Sequence, residues 1–258
     1  MRLMKRILSA AAVLALSAPL LVGCSSGTAS SVPVSASSAA ESTVSSVEET
    51  ASSAVDENEA AAAQLLNDLT GSYQELWPVI LADEYKQTWL DDCTALVGED
   101  NAEAAFEKLS SMVTGDVYGE DAVKAYANGG GAYFCGFTNS LATLTFDGET
   151  STISGTDKDG NVLFSHTYHY IGMEPVRGLY EFESDDADSG EFTYFFLAPD
   201  TSAETYHIEF RYGSDAEALS QYDAGEYAYW LASGISTDCD QTMIDNCIEL
   251  FCTENLAG

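Results

Sequence analysis

From residue 141 onward the chain alternates apolar and polar side chains over short runs, and this change of period constrains its fold more than any other feature. Residues 141–146, 152–156, 162–171, 178–183, 192–197 and 205–212 each read as strands, because successive strand side chains point to opposite faces. Asp147-Gly148 and Asp159-Gly160 separate them as turn signals. About six or seven short antiparallel strands joined by hairpins predict a barrel or a sandwich rather than a parallel sheet.

Before this run the apolar spacing is helical. Residues 57–69 are rich in Ala and place Leu65, Leu66 and Leu69 on one face, with Gly71 just beyond. Tyr73, Leu76, Trp77, Ile80 and Leu81 then recur at intervals of three and four, and Pro78 predicts a break near Trp77. Further helices are expected over 102–112 and 120–127, until Asn128-Gly129-Gly130-Gly131 stops helix formation. After the strands, 216–219 and 227–231 continue in short segments, and 240–251 carries an apolar face of Met243, Ile244, Cys247 and Ile248. The expected class is therefore α+β, an antiparallel sheet flanked by N-terminal and C-terminal helices.

The N-terminus has a different character. Arg2, Lys5 and Arg6 precede an apolar run over 7–21 that is too short to span a bilayer, followed by Leu21-Val22-Gly23-Cys24. This resembles a bacterial lipoprotein lipobox, which implies cleavage of a signal peptide, 1–23, and lipidation of Cys24. The expected localisation is then lipid-anchored on the extracytoplasmic face of the cell membrane, since several acyl chains on one residue anchor stably. Residues 24–58 hold Ser, Ala, Thr, Val and Glu without aromatics or period, the composition of a tether whose flexible-coil reach is about 30 Å. The folded part is expected over 59–258, divided into helices (59–128), strands (132–213) and a helical C-terminal part (214–258).

Cleavage would leave six Lys and Arg against 42 Asp and Glu, a formal charge of −36. Such a surface excludes nucleic acid and anionic headgroups as partners. Five cysteines follow Cys24: Cys93, Cys135, Cys239, Cys247 and Cys252. Their spacing lacks the C-x-x-C pairs of a structural zinc site, so disulfide bridging or plain burial is expected, with the pairing open.

Enzyme signatures are absent from the sequence: it contains no G-x-S-x-G, no H-E-x-x-H and no glycine loop leading into a Lys-bearing helix. Asp157-Lys158-Asp159-Gly160-Asn161 reads as a hairpin turn, without the downstream glutamate of a calcium loop. The stretch 185–191 reads as a charged hairpin loop.

The order of LFSHTYHYIG, VRGLYEFE, FTYFFLAP, TYHIEF, YGSDAEAL and YAYWL, with the earlier Trp77-Pro78, resembles the ZinT (YodA) family of lipocalin-like metal-recruitment domains across most of residues 70–235. The resemblance implies a calycin-type β-barrel, no enzymatic activity, and zinc or cadmium bound by three histidines at the barrel mouth. It also implies recruitment or buffering of a divalent metal, with a metal uptake transporter as a partner. Carried over by position, the histidine of H-x-x-A-P falls on Phe195, the first of H-x-H on Thr205 and the second on His207. Phenylalanine ligates no metal and neutral Thr is a poor zinc ligand. The strand pattern itself puts His207 and Glu209 on one face, which makes them the candidate pair, with His166 or His169 as a further imidazole. The same residues leave an alternative open: a barrel with a degenerate metal site whose mouth, at Phe195 and Tyr206, takes a small apolar ligand or a protein partner.

Overall fold

A computed structural model describes residues 57–198 and 207–257, all within the compact unit spanning 44–258. The predictions for 1–23 and most of 24–58, including Cys24, lie outside the described residues, as do Asp200, Glu204, Thr205 and Tyr206.

Eight antiparallel strands close into a barrel in sequence order. They are β1 (Gly71–Glu75), β2 (Thr143–Asp147), β3 (Thr152–Thr156), β4 (Val162–Met173), β5 (Tyr180–Ser184), β6 (Tyr194–Leu197), β7 (His207–Gly213) and β8 (Ala232–Ser236). The central six match the strands read from period-two patterning. The first and last do not. The helical period expected from Tyr73 and the helical part expected from 214 each contain a strand instead, for β1 and β8 pair with each other, Tyr73 opposite Ser236 and Glu75 opposite Gly234, and it is this pairing that closes the barrel. Tyr73 turns into the lumen rather than onto a helix face. The sequence of β8, ASGIS, is too small and too short to show strand propensity.

The helices are α1 (57–68), α2 (Leu76–Ile80), α3 (Lys86–Val97), α4 (Glu99–Val113), α5 (Glu120–Ala127), α6 (Ala216–Leu219) and α7 (Gln241–Leu256). Pro78 breaks nothing, contrary to its reading as a kink. The helix starts at Leu76, so the proline occupies the first turn, where its missing N–H has no intrahelical partner to lose. α3 carried no legible signal, because only Trp89 and Cys93 of its twelve residues are buried. α7 begins where Asp240 accepts a hydrogen bond from the Met243 N–H at 3.0 Å and so caps the helix N-terminus.

Two cores result. The lumen is filled by rings, among them Phe146, Phe164, Phe182, Phe195, Phe210 and Tyr212, each at most 5% exposed. α1 closes one end by adding Ala62, Leu65, Leu66 and Leu69 to this cluster. At the other end the segment 134–141 inserts Phe137 and Leu141. It is held by the Phe137 N–H donating to Glu75 Oε1 at 2.6 Å, the Trp230 indole N–H donating to the Gly136 carbonyl at 2.9 Å and the Tyr212 hydroxyl donating to the Thr138 carbonyl at 2.9 Å. The second core lies outside the wall, where α2, α3, α4 and α7 pack against Ile235. All five cysteines of the described residues are thiols, four of them buried.

Candidate metal centre

Strand β7 alternates strictly at its start. Ile208 and Phe210 point into the lumen cluster, so His207 and Glu209 project outward together, opposite Ile235 and Ser233 of β8. Both are half-buried, because α2 and α7 cover this part of the wall. Between wall and helices lies a small cleft of about 40 Å³ lined by Leu76, Trp77, Ile80, His207, Glu209, Cys247, Leu250, Phe251 and Glu254. That space holds an ion or one or two waters, not an organic ligand.

The cleft offers one imidazole, two carboxylates and one thiol, all donor types that zinc accepts. Burial pushes the Cys247 thiol up to about 12, so a metal would have to displace its proton in order to use the sulfur. Cys247 and Glu254 come from α7, more than thirty residues beyond β7, and the sequence shows Cys247 only as part of an apolar helix face. Among the described residues, no group of three or more His, Cys, Asp or Glu side chains is arranged to hold a metal ion. The donor chemistry suits zinc; a complete donor set is not assembled within the described residues.

The other two histidines lie elsewhere. His166 sits on the lumen side of β4, stacked on Phe164 at 5.9 Å between ring centroids, with Nδ1 2.7 Å from Asp186 Oδ2. His169, three residues on, projects from the opposite face, its Nδ1 2.7 Å from Asp185 Oδ1. Both carboxylates belong to the β5–β6 connection. His207 opens β7 beside the β6–β7 connection, and successive connections of an antiparallel meander lie at opposite ends. Neither His166 nor His169 therefore joins His207.

Of the three positions matched to family histidines, two are described. Phe195 is fully buried in the lumen, stacked with Tyr212 at 5.4 Å, whereas His207 faces the helices outside. They stand on opposite faces of the wall, so no single ion lies between them.

The hairpin turn at 157–161 is self-contained. Asp157 accepts hydrogen bonds from the backbone N–H groups of Asp159 and Asn161, each at 2.9 Å, and from the Asn161 side chain at 2.9 Å. These bonds hold its carboxyl below the usual range.

The chain matches no family model and no curated protein sequence. Among solved structures it is similar to the Zn(II)-bound ZinT-like domain of Streptococcus pneumoniae AdcA, at 17% identity and a TM-score of 0.45, over 71% of this chain and 89% of that one. It is also similar to Zn(II)-bound AdcA from the same organism, at 15% identity and a TM-score of 0.43, over 72% of this chain and 35% of that longer one.

Proposed function

We propose that this chain is a lipid-anchored, extracytoplasmic barrel of ZinT-like type that binds a divalent cation, zinc foremost and cadmium by the same donors, to recruit or buffer it for an uptake transporter. The order of motifs in residues 70–235 supports the family. The observation that carries the metal reading is the projection of His207 and Glu209 from one face of β7 into a cleft walled by Cys247 and Glu254. His207 would supply the imidazole and Glu209 the carboxylate, with the remaining donors drawn from α7 or from Asp200 and Glu204, which precede β7 in sequence. When bound, zinc would be cargo held by charge and ligand geometry. The residues perform no step on it. An apolar ligand seated on Phe195 finds no room, because that ring is sealed within the lumen.

Calorimetric titration of the full chain with zinc chloride tests the site. His207→Ala should weaken binding at least tenfold, and Glu209→Gln should do so to a smaller degree. Unchanged stoichiometry and affinity in His207→Ala would remove the proposal. The anchor is tested separately: Cys24→Ala should abolish incorporation of labelled fatty acid, and labelling that persists in this variant contradicts the lipobox reading.

A further inference from the structure

Cys93 on α3 and Cys252 on α7 are both wholly buried, and their sulfurs stand 3.9 Å apart across 159 residues of sequence. Plain burial asks only for a small apolar side chain at each position. It does not call for two sulfurs meeting face to face between two helices. A disulfide needs the pair to approach to about 2.05 Å, a closure within the range of modest side-chain rotation on two packed helices. We infer that Cys93 and Cys252 are oxidised to a disulfide as the chain folds, joining α3 to α7.

The co-reactant is a disulfide donor, either a small-molecule disulfide or a protein one. One cysteine thiolate attacks a donor sulfur, giving a mixed disulfide and releasing the first donor thiolate. The second cysteine thiolate then attacks the bridged protein sulfur and releases the other donor thiolate. The protein pair loses two electrons and two protons; the donor gains them and leaves as two thiols. Burial raises both thiols in the folded state and shields them from any donor, so the exchange belongs to folding, before α7 docks on α3. The inference is independent of the metal reading, since neither sulfur lines the cleft beside His207.

The test refolds the full chain from denaturant in a mixture of reduced and oxidised glutathione, blocks the remaining thiols with iodoacetamide and maps peptides without reduction. Of the six cysteines in chain refolded without lipidation, four should be alkylated, with the peptides bearing Cys93 and Cys252 linked to each other. Six alkylated cysteines, or a different pair as the dominant link, would overturn the inference. Cys252→Ser serves as the second variant. It should leave Cys93 alkylated, and a Cys93 that instead links to another cysteine counts against the inference, because pairing would then be opportunistic. Reduction of the linked form should lower Tm by about 5–15 °C, as expected for releasing a long cross-linked loop.

Discussion

Arg211 is the residue whose role was least visible in advance. It follows Glu209 on the outer face of β7, where a charged side chain is ordinarily solvated, yet it is 0% exposed. Its guanidinium donates to the backbone carbonyls of Leu219, Gln221 and Tyr227 and lies 4.3 Å from the centroid of Tyr222. The planar fork thus supplies donors to a loop that has no regular structure to satisfy its own carbonyls. Arg211→Met keeps the apolar stem and removes every donor, stranding three carbonyls; we predict a loss of about 2–4 kcal/mol, read as a lower urea midpoint. Arg211→Lys should recover only part of it. His207 shows the complementary case. Its strand face was legible from alternation, but what that face meets was not, since Cys247 and Glu254 reach it from a distant helix.

Among the elements, the strands that close the barrel were the hardest to read. β2 to β7 carry alternating apolar residues because one face of each meets the lumen and the other meets solvent or loose cover. β8 lies under the helical core as well, so four of its five residues are buried and the alternation disappears, whereas β1 buries only Tyr73 and carries too few apolar side chains to show a period. α1 was legible from Leu65, Leu66 and Leu69, and the structure shows what that face does, which is to stopper the lumen. It also shows why the following hairpin carries Gly148. A Cβ there would stand 2.4 Å from the Asn67 Cα and 2.6 Å from the Leu66 carbonyl oxygen. Backbone cannot yield as a flexible side chain would. Gly148→Ala should therefore push α1 outward, costing about 1–3 kcal/mol. Hydrogen exchange over residues 57–69 should accelerate selectively, and unchanged protection there would show that α1 tolerates the methyl.

At the scale of the whole molecule, the formal charge of −33 sets the response to pH and salt. Asp92 on α3 is raised by partial burial and by Glu249 and Asp245 of α7, and Glu181 is raised by partial burial and by Glu174. For both, the folded state holds the proton more tightly than the unfolded chain. Stability is then greatest below the unfolded values, near pH 4, and declines as pH rises through the folded values. Asp157 acts in the opposite direction: its contribution is present above its ordinary value and is lost as pH falls through its lowered one. Stability should thus increase as the pH falls from neutrality into the ordinary carboxylate range, and the Asp157 contribution should be lost below about pH 3.8. Asp92→Asn should raise the urea midpoint at pH 7 by a few tenths molar, discounted for its solvent exposure, and flatten the upper limb. Added salt should stabilise the wild type more than this variant.

What the sequence determined by itself was local: the change from helical to strand period, the hairpin turns, the shared face of His207 and Glu209 and the opposite faces of His166 and His169. Each follows from fixed backbone periodicity acting over a few residues. Closure of the barrel by β1 and β8, the stopper at each end, the burial of Arg211, the ring-filled lumen around Phe195 and the meeting of Cys93 with Cys252 were decided only by the tertiary structure. They depend on which distant segments cover a given face, and a side chain carries no local mark of what will cover it.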